Sequence, residues 1–476
     1  MGHLGERVER RLGTAAGGAG SRAVSRRQRS SALSGLAGLT APARGRHAAP
    51  RRAGRLGPGA RPALGRLVGP ALGLLVIAAG VFAGVQVLRP APPAAVRAAG
   101  TTWSVPGTPA RLSWPSQGSA ALAVPGTGMV GSVGGSTPVP VASIAKVMTA
   151  LVVLADHPLS TGQPGPTITV TAADVAQYQA DLAQQQSVVA VTAGEQLTER
   201  QALQALLVPS GNNIARLLAV WDRGGVPAFV AAMNARAAAM GLRHTHFAGP
   251  SGLDPRSVST ATDLVRLGEA AESDPVLAGI VAMPSVTLPV AGTVYNYDYE
   301  LGHHGFVGIK TGSDGQAGGC FLFDAAVPVG SGAARTGGSA AGTPGGGTVH
   351  VIGAVLGQQA TPIITSALDA AVGLVGSLGP QLAVRTVVAA GQRFGSLRTP
   401  WGASAPVVAA SGVSAVAVAG MRLRGTVTAM HLGSSVRRGQ RVGTLTLTVG
   451  GTTHLVPLVA GAALGGPGVA WRLTNL

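Results

Sequence analysis

The segment between Arg66 and Arg89 most constrains how this chain can fold, because its 22 residues, LVGPALGLLVIAAGVFAGVQVL, carry no charge. A helix of this length reaches about 33 Å, enough to cross the hydrocarbon core of a bilayer. The sequence therefore predicts a transmembrane anchor over residues 67–88. A cleaved signal peptide is the alternative, although the apolar run is long for one.

The charge of the chain is concentrated before this segment. Residues 1–66 contain 14 arginines against Glu6 and Glu9, and so hold 12 of the 18 net positive charges. Because basic flanks stay in the cytoplasm, we expect a disordered cytoplasmic tail over 1–66, attracted to anionic lipid, and an extracytoplasmic remainder at the cell membrane. Nucleic-acid binding by the tail is a weaker alternative, and no nucleic-acid partner is expected. Residues 89–102, RPAPPAAVRAAGTT, predict a stiff linker.

The composition of the remaining chain excludes several classes of site. Cys320 is the single cysteine, so no internal disulfide framework or cysteine-based zinc site can form. No carboxylate or cysteine cluster has metal-ligand spacing, and no dinucleotide or phosphate-binding glycine motif is present. The sequence therefore predicts neither a metal nor a cofactor.

Arginine supplies all but two of the 36 basic side chains, and both lysines lie in short polar motifs. The run VPVASIAKVMTALVVLA has apolar residues at helical spacing, which predicts a helix with Ser143 in its first turn. Lys146 follows at i+3, on the same face, so that its amine can reach the hydroxyl. A serine hydroxyl needs such a base to act as a nucleophile, and lysine can serve only when its pKa is depressed.

The second lysine, Lys310, belongs to K-T-G in FVGIKTG, which we interpret as an inner strand. Between the two lysines, LLVPSGNN places Ser210 and Asn212 as S-x-N in a loop before a helix that begins near Asn213. A lone S-x-x-K is a weak signal, and its ordinary interpretation is a capping serine with a surface lysine. The three motifs in this order make chance agreement improbable.

S-x-x-K, S-x-N and K-T-G together are the signature of penicillin-recognising serine enzymes. SIAKVMTA, LLVPSGNN, MNARAAAMGLRHTHFAGPSGL, STATDL and GIKTGSDGQAGGC narrow the resemblance to the serine-type D-alanyl-D-alanine carboxypeptidases, the low-molecular-mass penicillin-binding proteins. The resemblance is strong over 103–358 and weak over 380–476. It implies an α+β fold, with an antiparallel sheet flanked by helices and a helical subdomain, and a site between the two.

The resemblance also implies the role of each catalytic residue. Ser143 would be the acylated nucleophile and Lys146 its general base. Ser210 would pass a proton to the leaving amine, and Asn212 would bind the substrate amide. Lys310 would add positive field and hold Ser210.

The same resemblance implies three substrate-binding residues on the K-T-G strand. Thr311 would face the terminal carboxylate, and Gly312 would let the substrate backbone approach. The backbone N–H of Ser313 would form the oxyanion hole with that of Ser143. The substrate would be a peptidoglycan stem peptide ending in D-Ala-D-Ala, and β-lactams would acylate Ser143 covalently.

Two positions depart from the family pattern. The family commonly has Asp where this chain has Asn213, and a hydroxyl residue where it has Asp314. Two neighbouring lysines repel each other as cations, so we expect one, Lys146, to be neutral near pH 7.

The domain pattern completes the expectations. The catalytic domain is predicted over 103–380, with a flexible hairpin loop at 326–348 and a helix at 366–378. Short β-branched runs separated by glycine turns predict a small β-rich domain over 381–476.

Two other functions stay open at this point. One is a class A-like β-lactamase, although residues 213–309 contain no E-x-x-L-N segment to activate a deacylating water. The other is a non-catalytic module that binds the cell wall on the same fold.

Overall fold

The protein is represented by a computed structural model that describes residues 65–98, 102–329 and 347–475. The chain divides into two units, residues 1–75 and 76–476. The first unit contributes only the start of one helix to these ranges. The tail predicted over 1–66 therefore lies almost entirely outside the described residues.

The helices of the described ranges are mostly short and apolar on one face. They are α1 (Gly65–Leu88), α2 (Ala145–Asp156), α3 (Ala172–Ala183), α4 (Glu199–Leu207), α5 (Asn212–Arg223), α6 (Val226–Ala239), α7 (Ala261–Glu272), α8 (Pro275–Val281), α9 (Ile363–Leu378) and α10 (Val469–Thr474). The 3₁₀ turns Ala142–Ile144 and Gly379–Gln381 adjoin α2 and α9. The predicted helix at 366–378 is confirmed as α9.

The strands of these ranges form two large sheets and several two-stranded pairs. They are β1 (Ala95–Ala98), β2 (Thr102–Ser104), β3 (Ser119–Val124), β4 (Gly128–Val133), β5 (Val139–Pro140), β6 (Thr167–Thr169), β7 (Gln196–Thr198), β8 (Val258–Ser259), β9 (Ser285–Leu288), β10 (Gly292–Tyr295), β11 (Phe306–Asp314), β12 (Gly318–Pro328), β13 (Thr348–Gln358), β14 (Ala383–Val388), β15 (Arg393–Arg398), β16 (Ser404–Ala409), β17 (Val413–Ala417), β18 (Arg422–Ala429), β19 (Arg441–Val449) and β20 (Thr452–Ala460).

Helix α1 contains the uncharged segment identified in the sequence. Its stretch Gly69–Leu88 is long and apolar enough to cross a membrane, and almost all of it is exposed. Leu74 and Ile77 are about two-thirds exposed, which is costly for large apolar side chains in water. Helix α9 is also long and apolar, but it packs against β12 and β13 as a core helix.

The first large sheet has five antiparallel strands in the order β11-β12-β13-β3-β4. Its strands β12 and β13 pair from Gly319 with Gln358 to Pro328 with Thr348, which confirms the predicted hairpin. The loop is shorter than the predicted 326–348, because residues 326–328 and 348 belong to the strands, and residues 330–346 lie outside the described ranges. The interpretation of FVGIKTG as an inner strand is wrong, because β11 is an edge strand. Its residues are buried on both faces by helices and by the turn before α2, so its composition resembles that of a central strand.

Alternate side chains of this sheet enter two different cores. Leu322 and Ile352 face the core shared with α2, α4, α5, α7 and α8. Phe321 and Phe323 face the opposite core, which includes α9 and the C-terminal strands. The period-two alternation of a strand thus joins the helical subdomain to one side of the sheet and the C-terminal domain to the other.

The second large sheet has seven strands in the order β1-β15-β16-β20-β19-β18-β2. Five of them come from residues 393–460, in agreement with the predicted C-terminal β-rich domain. Its two edges are β1 and β2, which precede the strands of the five-stranded sheet in the chain. The prediction of a linker over 89–102 is therefore corrected, because residues 95–98 pair with β15 through their backbone.

Candidate active site

The candidate nucleophile lies in the tight turn that leads into α2. Ser143 occupies the 3₁₀ turn Ala142–Ile144, and Ala142 adopts a left-handed backbone conformation with φ of 47°. Ile144 and Ala145 are fully buried, whereas Ser143 is only half-buried. The buried apolar residues hold the turn against the core, so that the one hydroxyl among them stays accessible.

Lys146 is fully buried one turn later, with its amine beside this hydroxyl. Its Nζ lies 2.7 Å from Ser143 Oγ and 3.1 Å from the carbonyl oxygen of Ser251. Burial lowers the pKa of Lys146 well below its usual value, and the charge of Lys310 lowers it further. A lowered pKa favours the neutral amine, which is the form that can accept a proton from Ser143.

The loop around Gly252 supports this pair, and sequence reasoning missed its role. Thr149 Oγ1 donates to the carbonyl oxygen of Pro250 at 2.7 Å, which fixes the loop on α2. Gly252 has φ of 80°, and a Cβ there would collide with the carbonyl oxygen of Ala142. The P-S-G sequence could have indicated a close turn, but its contact with Lys146 is a tertiary feature.

The S-x-N motif forms a loop between α4 and α5. Ser210 is buried and adopts a left-handed conformation with φ of 63°, which is strained for a residue with a side chain. Asn212 Nδ2 donates to Gln186 Oε1 at 3.0 Å, while its Oδ1 is buried and has no hydrogen-bond donor among the described residues. An unsatisfied buried acceptor is costly, and it fits the N–H of an incoming amide.

Asn213, the departure from the family pattern, points away from this loop. Its Oδ1 accepts from Val189 N at 3.0 Å, and its Nδ2 donates to Val189 O at 2.8 Å. A carboxylate could make only the first of these bonds. Asn213 thus fixes the segment around Val189 to α5, so its effect is structural.

The K-T-G motif lies on the edge strand β11, against the nucleophile turn. A Cβ on Gly312 would come within 3.0 Å of Ser143 N, 3.1 Å of Val141 O and 3.2 Å of Ile144 N. Only glycine allows the strand to approach this closely. The absence of a side chain at Gly312 therefore sets the distance between the two motifs.

Lys310 and Thr311 are both buried beside Gly312. Lys310 Nζ donates to the carbonyl oxygen of Thr311 at 3.1 Å, and within the described ranges no hydrogen bond joins it to Ser210. The expected contact in which Lys310 holds Ser210 is therefore not present. Burial lowers the pKa of Lys310 to about 8, a loss that the negative charge of Asp298 opposes.

Ser313 and Asp314 end strand β11, and both are partly exposed. Asp314 Oδ1 accepts from the backbone N–H of Gln316 and of Ala317, each at 2.7 Å. This carboxylate caps the turn into β12, so the second departure from the family pattern also has a structural explanation.

Taken together, these contacts unite the S-x-x-K and K-T-G motifs around one half-buried hydroxyl. The S-x-N loop follows α4, which packs on α2. A buried amine with a lowered pKa beside a hydroxyl, next to a second buried amine, can perform acyl transfer on a substrate that carries a negative charge.

Comparisons with known proteins agree with this geometry. Residues 131–328 match the family model described as D-alanyl-D-alanine carboxypeptidase. A D-alanyl-D-alanine carboxypeptidase of Mycobacterium tuberculosis, DacB2, is 40% identical over 180 residues, covering 36% of this chain and 57% of the relative. A D-alanyl-D-alanine endopeptidase of Pseudomonas aeruginosa is 33% identical over 191 residues, covering 39% and 58%. The chain thus spans less than two thirds of these relatives.

Penicillin binding protein 5 from Haemophilus influenzae shares the fold, with a TM-score of 0.52 and 19% identity over 76% of this chain and all of that one. This likeness agrees with the α+β architecture and with the β-rich C-terminal region. Over residues 131–328, this chain is therefore similar to the D-alanyl-D-alanine carboxypeptidase family.

Proposed function

We propose that the protein is a serine D-alanyl-D-alanine carboxypeptidase, which removes the terminal D-Ala from peptidoglycan stem peptides. The observation that carries the proposal is the pair formed by Ser143 and the buried Lys146, whose reactive atoms are 2.7 Å apart. The names of the relatives, one a carboxypeptidase and one an endopeptidase, support the substrate class.

Acylation begins when Ser143 Oγ attacks the carbonyl carbon of the penultimate D-Ala. The hydroxyl proton passes to Lys146 Nζ as the new C–O bond forms. The C–N bond then breaks, and the leaving amine takes a proton through Ser210. The depressed pKa of Lys146 supports this sequence, because a protonated amine could not act as the base.

Substrate binding uses the K-T-G strand and the S-x-N loop. Lys310 and Thr311 attract the terminal carboxylate, while Asn212 Oδ1, which no donor of the described ranges reaches, accepts from the substrate amide. The backbone N–H groups of Ser143 and Ser313 stabilise the tetrahedral oxyanion, and the loss of one such donor typically costs about 3 kcal/mol.

Water then attacks the acyl-enzyme carbonyl and releases the shortened peptide. β-Lactams present a strained amide and a carboxylate, so they acylate Ser143 by the same route and act as covalent inhibitors. The residues named above supply the base, the proton donor and the oxyanion donors of each step.

The test compares wild type, Ser143→Ala and Ser404→Ala with a diacyl-D-Ala-D-Ala peptide and with fluorescent penicillin. Ser404 is an exposed serine of the β-rich domain and provides a matched control. We expect Ser143→Ala to lose both D-Ala release and labelling, and Ser404→Ala to keep both. Retained labelling in Ser143→Ala would contradict the assignment of the nucleophile.

The same measurements separate the alternatives. Rapid, repeated release of hydrolysed penicillin would favour a class A-like β-lactamase. Wild type that is never labelled would favour a non-catalytic module that binds the cell wall. Cleavage of a cross-linked stem peptide, but not of the terminal D-Ala, would favour an endopeptidase.

We further propose that residues 67–88 anchor the protein in the cell membrane, with residues 1–66 in the cytoplasm and a catalytic domain within 103–380 outside. The exposed apolar side chains of α1 support the anchor. The excess of arginine before α1 supports the orientation.

A further inference from the structure

The segment that follows α3 lies against the S-x-N loop and has no role in the mechanism above. Its residues 184–187, QQQS, are joined to Asn212 by two hydrogen bonds. Asn212 Nδ2 donates to Gln186 Oε1 at 3.0 Å, and the backbone N–H of Asn212 donates to the carbonyl oxygen of Ser187 at 2.8 Å. Gln186 thus contacts, through its side chain, a residue for which we propose a role in substrate binding.

The backbone of this segment is fixed, so Gln186 is held in place. Its N–H donates to Asp181 O at 3.1 Å, in the last turn of α3. Gln185 has φ of 57°, a left-handed conformation that is costly for a residue with a side chain and persists only where the surroundings impose it. Further along the segment, the backbone of Val189 is bonded to the side chain of Asn213. The segment is therefore fastened to α3 at one end and to α5 at the other.

The side chains of Gln186 and Asn212 meet in a defined orientation. A carboxamide has an acceptor oxygen and a donor nitrogen, so two of them can pair in either of two senses. Gln186 Nε2 donates to Gln184 Oε1 at 3.1 Å, which leaves Gln186 Oε1 to accept from Asn212 Nδ2. The opposite orientation of Asn212 would set its oxygen against that of Gln186. Asn212 Oδ1 is therefore turned away from the segment, to the buried position where no donor of the described residues reaches it.

We propose that Gln186 is a positioning residue for the reaction, which accepts from Asn212 Nδ2 and thereby keeps Asn212 Oδ1 free for an N–H of the substrate. This N–H is that of the penultimate D-Ala, the residue whose carbonyl is attacked. The proposal deepens the proposed function and rests on it for the role of Asn212. Gln186 acts through Asn212 rather than on the reacting atoms.

Three replacements of Gln186 test this orientation, because they differ in what they offer to Asn212. Gln186→Glu offers only acceptors, Gln186→Ala offers neither donor nor acceptor, and Gln186→Lys offers only donors. Opposite a donor, Asn212 turns its oxygen towards residue 186 and its NH₂ group towards the substrate N–H. The second-order rate of D-Ala release should stay near wild type in Gln186→Glu, fall about threefold in Gln186→Ala and fall by more than about tenfold in Gln186→Lys.

The expected order is the opposite of the order that charge alone would produce. The substrate carries a terminal carboxylate, so a new cation at position 186 would attract it and a new carboxylate would repel it. A faster reaction in Gln186→Lys than in Gln186→Glu would therefore overturn the proposal.

Gln177→Ala is the matched control for the loss of a side-chain amide. Gln177 is also half-buried, and its Nε2 donates to Asp181 Oδ1 at 2.7 Å within α3. We expect this variant to react as wild type does. A loss equal to that of Gln186→Ala would indicate a general disturbance of the segment and would refute the proposal.

A second measurement separates orientation from structure. An analogue of the peptide with D-lactate in place of the penultimate D-Ala has an ester oxygen where the peptide has the N–H. Wild type and Gln186→Glu should prefer the peptide by about tenfold, because the ester leaves Asn212 Oδ1 without a donor. In Gln186→Lys the preference should nearly vanish. A merely structural role would lower both rates and leave their ratio unchanged, which would contradict the proposal.

The wild type alone also tests the proposal, should no variant at position 186 fold. A preference for the peptide would then support it, and equal rates with peptide and ester would overturn it. Absence of D-Ala release from both substrates in wild type would refute the proposed function, and this inference with it. Normal release in wild type, with the same rate and preference in Gln186→Lys, would refute the inference alone.

Discussion

Replacement of Gly312 by alanine tests whether the K-T-G strand and the nucleophile turn must be in contact. The new Cβ would meet three backbone atoms, those of Val141, Ser143 and Ile144, at 3.0–3.2 Å. Ordinary carbon contacts lie near 3.5–4.0 Å. None of the three atoms belongs to a flexible side chain, so β11 or the turn must shift by a few tenths of an ångström.

The magnitude follows from this shift. Overpacking a close contact costs about 1–3 kcal/mol of stability. A misplacement of about 1 Å between reacting groups can cost about 100-fold in rate. A shift of a few tenths of an ångström between the proposed oxyanion donors, the backbone N–H groups of Ser143 and Ser313, therefore predicts about a tenfold loss in the rate of acylation.

The assay is the second-order rate of labelling by fluorescent penicillin, measured beside thermal unfolding. Gly315→Ala is the matched control, since Gly315 lies in the next turn and its Cβ would meet no atom of the described residues within 4 Å. We expect Gly315→Ala to react as wild type does. A wild-type rate in Gly312→Ala, in a folded protein, would show that the approach of the strand does not govern the reaction.

Two further predictions concern the S-x-N region and the membrane topology. Asn213→Asp should lower the free energy of unfolding by about 1–3 kcal/mol in urea titration, because a carboxylate cannot donate to Val189 O. The control, Asn475→Asp, changes an exposed residue and should have little effect. Equal stability of the two variants would contradict the role given to Asn213. In intact cells, external protease should remove the catalytic domain and leave an epitope within residues 1–66 protected, whereas loss of that epitope would refute the predicted orientation.

The sequence predicted the catalytic motifs because their chemistry depends on local spacing. Ser143 and Lys146 are three residues apart at a helix start, so their contact follows from helix geometry. The helix α9 is likewise a local feature. The convergence of Lys310 on Lys146 followed from the family resemblance, because no local rule brings residues so distant in the chain together.

Three features could not be predicted, and each depends on tertiary contact. Strand β11 has the composition of an inner strand because helices cover both its faces. It nevertheless lies at the edge of its sheet, where it contacts the turn before α2. Asp298 resembles an ordinary loop acid until its burial is known. The segment 95–98 has the composition of a linker, and only the partner strand β15 gives its backbone a place in a sheet.

The origin of the two edges of the seven-stranded sheet has a consequence for biosynthesis. Ala95 pairs with Arg398, and Leu423 with Trp103, so the five-stranded sheet and its helices are inserted between strands of the seven-stranded sheet. Strands β1 and β2 therefore stay unpaired during synthesis until their partners β15 and β18 have been made. Such high contact order slows folding, and a truncation after α9 would leave two orphan strands exposed to aggregation.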